Sequence, residues 1–102
     1  PAPKRYAYCS DTAYFPEIVP QIKGVDALYH ESTFLESELA LATKTKHATA
    51  KQAAHIAAAA GVGQLILGHY STRYEKIALF KEEASEVFPK TYLGDDGLSF
   101  EF

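Results

Sequence analysis

Apolar residues in this chain fall into two patterns, short unbroken runs and repeats at helical spacing. Leu65, Ile66 and Leu67 form a run that predicts a buried strand, ended by Gly68 just before His69. Thr72 and Glu75 then stand at capping-box spacing, and Ile77, Phe80, Ala84, Val87 and Phe88 predict a helix over about 73–88 that Pro89 stops. Upstream lies the clearest helix. Thr49 and Gln52 form a second capping box, Ala50, Ala53, Ala54 and Ala57 repeat at helical spacing, and Gly61 supplies the stop. A face of alanines lets this helix lie close against a sheet and would hold His47, just ahead of the cap, in a fixed place. His55, in mid-helix near Lys51, reads as a surface or packing histidine.

The remaining segments are shorter. RYAYC (5–9) predicts a strand ending in a polar Ser10–Thr12 loop, and DALYH (26–30) predicts a second strand. Pro16 and Pro20 bracket a connector or one short helix, closed by Gly24. Leu35–Ala42 is mildly helical, but Thr43–Lys46 breaks the pattern, so a loop with some helical content is expected there. TYL (91–93), a Gly94–Gly97 turn and the alternating LSFEF segment predict a closing hairpin around Asp96-Gly97. Strand and helix thus alternate, which predicts an α/β architecture without an internal boundary over residues 1–102.

Composition narrows the class. Of 102 residues, 47% are hydrophobic and 23% charged, an ordinary globular balance that gives no reason to expect disorder. The net charge of −3 carries no overall nucleic-acid signature, although Lys44, Lys46, Lys51, Arg73 and Lys76 gather around the candidate site. The one cysteine, Cys9, cannot form an internal disulfide, and no apolar run reaches membrane-spanning length. With no signal-peptide core in PAPKRYAY, a cytoplasmic chain that does not meet a membrane is expected.

The candidate chemistry sits at element ends. Asp11, Glu31, His47 and His69 each stand where a strand or loop meets the next element, and parallel strand ends converge on one side of a sheet. Carboxylate oxygen with imidazole nitrogen suits zinc or a similar divalent ion. Each residue also has a plainer reading. Asp11 is equally a loop cap, Glu31 a solvated loop acid and His69 a hydrogen-bonded structural residue. No two of them form a compact local motif, so spacing leaves both readings open.

Four segments carry a resemblance. YCSDT (8–12), LYHESTF (28–34), KHATA (46–50) and GHYSTRY (68–74) together look like the C-terminal part of the ribonuclease Z family, the tRNA 3′-processing endonucleases of the metallo-β-lactamase superfamily. HESTF and GHYSTRY are the specific ones, and the likeness runs in order from about residue 5 to the end. It implies that Asp11 bridges two zinc ions and that His69 ligates one of them. It also implies that Glu31 and His47 handle proton transfer, with His47 protonating the leaving 3′-oxygen while Glu31 orients and charges it. Ser71 and Arg73, with the N-terminus of the following helix, would hold a substrate phosphate. His30 is expected to be structural, pointing away from Glu31 on the pleat.

The departures are equally informative. The family's HxHxDH motif is not found among the four histidines, and neither is the arm that grips tRNA. Two zinc ligands fall short of the three protein ligands usual at a catalytic zinc. The expectation is therefore an incomplete fold, the C-terminal half of a metallo-β-lactamase-like αββα sandwich. Such a fragment would come from an enzyme acting on precursor tRNA, would be inactive alone, and would self-associate as a homodimer through its uncovered sheet face. Two alternatives stand beside it: a fragment of another phosphodiesterase or hydrolase of the same fold, and a non-catalytic α/β module.

Overall fold

A computed structural model of the chain describes residues 5–9, 16–68, 70, 71, 74, 76 and 78–94. Four parallel strands build its sheet in chain order: β1 (Tyr6–Cys9), β2 (Ala27–Glu31), β3 (Gln64–Gly68) and β4 (Thr91–Leu93). Parallel neighbours need a crossover between them. The first is a 3₁₀ turn at Pro16–Ile18 running into α1 (Val19–Ile22), which carries Pro20 in its first turn and so extends past the stretch expected as a connector or short helix, with Gly24 at φ 74° behind it. The second is a 3₁₀ turn at Glu36–Glu38, α2 (Leu39–Thr45) and α3 (Ala50–Ala60), and the third is α4 (Ala78–Ser85).

The alanine helix forms as its sequence dictates. The Thr49 hydroxyl accepts the Gln52 N–H and the Gln52 side chain accepts the Thr49 N–H, so both halves of the capping box are made. Gly61, at φ 65°, closes the other end in the left-handed conformation that glycine tolerates best. Ala50, Ala53, Ala54 and Ala57 are fully buried, and His55 is exposed.

Register divides the sheet into two unlike faces. Cys9, Leu28, Leu65 and Leu67 enter the core cluster, where they meet Ile22 of α1, the α3 alanines with Ile56, and Phe80 and Ala84 of α4. Tyr6, Tyr8, Tyr29, Ile66 and Tyr92 alternate to the opposite side, and the core cluster takes none of them. Tyr8 is 77% exposed and Tyr6 54%, with the Tyr8 ring tilted 5.3 Å from that of Tyr29.

Two expected elements need correction. The segment after Leu35 is more ordered than its pattern implied, because α2 continues to Thr45. The Thr45 hydroxyl turns back to the Leu41 carbonyl, and Lys46 adopts φ 62° to cap the helix with its N–H on Ala42 and Thr43 carbonyls. A lysine does here what a glycine usually does, so no stop signal was visible. The helix expected from about residue 73 instead begins at Ala78, and the described residues Tyr74 and Lys76 stand outside any helix. Tyr74 is engaged elsewhere. Its hydroxyl accepts the Leu35 N–H, and its ring meets Phe80 edge-on. The Thr72–Glu75 capping box, the Asp96-Gly97 hairpin and LSFEF lie outside the described residues.

Candidate active site

Glu31 is the last residue of β2, paired with Gly68 at the end of β3, and it is completely buried. A buried carboxylate needs partners. Its Oε2 accepts the Thr33 N–H at 3.1 Å and the Thr33 hydroxyl at 2.5 Å. Its Oε1 lies 2.9 Å from Nδ1 of His47, whose side chain is 26% exposed. The pair therefore spans the boundary between interior and surface, with the carboxylate anchored inside and the imidazole reaching out. A carboxylate oxygen that accepts from this ring takes the hydrogen on Nδ1 of His47.

Backbone pairing explains why the two residues meet across sixteen positions. Phe34 and Thr49 form an isolated parallel bridge, in which Ala50 N–H donates to the Phe34 carbonyl at 3.0 Å and Phe34 N–H to the Ala48 carbonyl at 3.4 Å. The His47 N–H donates to the Ala42 carbonyl, and its ring stands edge-on to Phe34. The segments after Glu31 and after His47 thus run side by side.

Other neighbours complete the rim. Both the N–H and the hydroxyl of Ser32 donate to the Gly68 carbonyl, tying the ends of β2 and β3 together. Ser71 is half-buried, and its N–H donates to the Thr33 carbonyl at 2.9 Å, so it stands two residues from Glu31 across the loop. Because α4 begins at Ala78, the phosphate site expected at Ser71 and Arg73 does not have a helix N-terminus starting beside it. Asp11, His69 and Arg73 lie outside the described residues. The described strands before Asp11 and His69 end at Cys9 and Gly68, and these two strands flank β2.

His30 is buried on the helix-facing side, in register with Cys9 and Leu67, and its Nδ1 lies 2.8 Å from the Glu31 carbonyl oxygen. Burial pulls its pKa below the usual 6.5, against the opposing influence of that carbonyl and of the Glu31 charge. Its place on the face opposite Glu31 is the one the pleat implied. Burial likewise pushes the Cys9 thiol up, which disfavours its thiolate. Sequence reasoning missed Thr33 as a double donor to Glu31, although the hydroxyls flanking that acid were the available signal. It also missed Tyr29, whose hydroxyl fills the place of a Gly68 Cβ.

The family model of the beta-lactamase superfamily domain matches residues 2–70. The chain belongs to the beta-lactamase superfamily. Within it, the chain is 59% identical to ribonuclease Z of Parabacteroides distasonis over 95% of its own length and 32% of that protein's. It is 58% identical to ribonuclease Z of Bacteroides fragilis over 94% of its length and 32% of the relative's, so it spans about a third of the curated relatives it matches. Among solved structures, the metallo-beta-lactamase fold protein YhfI of Bacillus subtilis superposes with a TM-score of 0.84 at 26% identity, covering 92% of this chain and 38% of that one. A long-form RNase Z from yeast gives 0.64 at 35% identity, covering 68% and 9%. Human tRNase Z, short form, gives 0.64 at 24% identity, covering 81% and 27%, a likeness of fold. The α/β fold expected from sequence is thus a partial metallo-β-lactamase fold, a four-stranded parallel sheet with its helices.

Proposed function

We propose that this chain is the C-terminal part of a cytoplasmic, metal-dependent endoribonuclease that removes the 3′ trailer from precursor tRNA, with Glu31 and His47 as its proton-transfer pair. The observation that carries the proposal is the Glu31–His47 contact itself: a fully buried carboxylate holding a partly exposed imidazole, in a chain 52–59% identical to ribonuclease Z relatives. Cleavage of a phosphodiester leaves an alkoxide at the 3′-oxygen, which must gain a proton to depart. Nε2 of a protonated His47 is the donor in this reading. Glu31, itself fixed by Thr33, sets the ring's orientation and takes up the positive charge while the proton is held. Ser71, tied to Thr33 through its backbone, and Arg73 would then hold the phosphate.

The superfamily implies a metal, for which zinc is the reading proposed here. Among the described residues, no three His, Cys, Asp or Glu side chains gather as a metal site. In sequence Asp11 comes two residues after the end of β1 and His69 one after the end of β3, the strands that flank β2, and carboxylate and imidazole donors suit a divalent ion. They would supply part of a two-ion centre, the rest coming from sequence beyond this third of the protein, so the chain alone would be inactive. When bound, such ions supply a hydroxide nucleophile and neutralise charge on the phosphate.

The test is substitution in the full-length protein. His47→Ala and Glu31→Gln should each lower cleavage of precursor tRNA by about 10²- to 10⁴-fold with folding intact, and unchanged cleavage would remove the assignment. A second reading, another hydrolase of this fold, rests on the 0.84 superposition with YhfI. It predicts that the intact protein hydrolyses small phosphodiesters and leaves precursor tRNA whole.

A further inference from the structure

Glu83 lies in α4, outside the site, and its carboxylate accepts three backbone hydrogen bonds from two other segments. Glu36 N–H reaches both oxygens, at 2.9 Å to Oε1 and 3.1 Å to Oε2, and Lys51 N–H reaches Oε2 at 2.9 Å. Glu36 opens the 3₁₀ turn after Phe34, and Lys51 is the second residue of α3. Both N–H groups are the unpaired donors of a helical start, which a carboxylate suits. The Thr49 hydroxyl adds a fourth link by donating to Glu36 Oε1 at 2.8 Å.

These contacts complete a ladder between the two segments that carry the proton-transfer pair. One segment runs Glu31, Phe34, Glu36, and the other runs His47, Thr49, Lys51. They are joined at the near end by Glu31 to His47, in the middle by the Phe34–Thr49 bridge, and at the far end by Glu83. We infer that Glu83 is a positioning residue, which from outside the site fixes the spacing of the two segments and so the aim of the His47 ring toward the leaving oxygen. This rests on the proton-transfer role proposed above. Without Glu83, Glu36 and Lys51 N–H lose their acceptor and the far end keeps only the Thr49–Glu36 hydrogen bond beyond the middle rung, so the ring, still held to Glu31, can shift by fractions of an ångström. Misplacement on that scale is enough to slow a proton transfer about tenfold to a hundredfold.

The experiment compares Glu83→Ala, Glu83→Gln and His47→Ala in the full-length protein on two substrates. Precursor tRNA has an alkoxide leaving group that needs a proton, whereas bis(p-nitrophenyl) phosphate has a phenolate that leaves without one. Glu83→Ala should lower kcat on precursor tRNA about tenfold to a hundredfold while changing hydrolysis of the activated ester less than about twofold. Glu83→Gln keeps one carbonyl oxygen, enough for the Glu36 and Lys51 N–H groups, and should recover most of the lost rate. A purely structural role would lower both substrates together, and that result, or unchanged tRNA cleavage in Glu83→Ala, overturns the inference. His47→Ala separates the two layers. If it too spares tRNA cleavage, or lowers both substrates alike, His47 is not the proton donor and Glu83 has nothing to aim. If His47→Ala is selective for tRNA and Glu83→Ala is not, the positioning role alone falls.

Discussion

The Tyr29 hydroxyl occupies the space of the side chain that Gly68 lacks: a Cβ built on Gly68 would lie 1.8 Å from it and 2.5 Å from the ring carbon that bears it. Tyr29 and Gly68 thus form a knob and a hole across β2 and β3, at the strand ends that bear Glu31 and precede His69. Gly68→Ala should therefore cost about 1–3 kcal/mol of stability by overpacking. Chemical denaturation of the full-length protein measures it. Tyr29→Val combined with Gly68→Ala should cost less than the sum of the single changes, and strict additivity would show that the two residues do not share this space.

Thr49 acts twice, as acceptor for the Gln52 N–H and as donor to Glu36. Thr49→Val keeps its shape and removes both bonds. A loss of about 1–2 kcal/mol is expected from the cap alone. Amide exchange should speed up at Gln52 first, and unchanged protection there would count against the cap.

The cap and the alanine face of α3 were legible in the sequence because both lie within a few residues of one another, where spacing reports geometry. The ends of β1, β2 and β3 were legible for the same reason, and with them the neighbourhood of Glu31. Contacts that close over long separations were not. Glu83 meets Lys51 across 32 positions and Tyr74 meets Leu35 across 39, and neither residue type advertises its partner. Tyr74 and Lys76 stand outside any helix, and the Tyr74 hydroxyl accepts the distant Leu35 N–H, a contact that helical spacing around residue 73 does not signal. The left-handed Lys46 escaped for a different reason, since only glycine or asparagine would have flagged it.

His30 gives the fold a pH dependence. Its pKa is lowered in the folded state by burial, so the unfolded chain binds the proton more readily. Its contribution is fully present above the ordinary histidine value near 6.5 and is lost as pH falls below it. The melting temperature should fall between about pH 7 and pH 5, and His30→Asn should flatten that slope while lowering stability at pH 7. An unchanged slope would place the dependence elsewhere.

The tyrosine face bears on the expected homodimer. Tyr6 and Tyr8 stand exposed at the β1 end of the face opposite the helix-side core cluster. Apolar aromatic surface beside an edge strand promotes pairing. The isolated 102-residue chain should migrate as a dimer or larger on size exclusion at high concentration, and Tyr8→Lys should shift it toward monomer. A clean monomer for the unaltered chain at high concentration would sink this.

The chain-order sheet has a kinetic meaning. Each strand pairs with the one made just before it, and no strand has to be threaded between two already joined. Among the described strands, each pairing therefore closes a loop no longer than a single crossover. In chain order β2 and Glu31 precede the His47 segment and α3, and α4 with Glu83 is the last of the described helices. The contact that steadies the pair thus depends on the last of them.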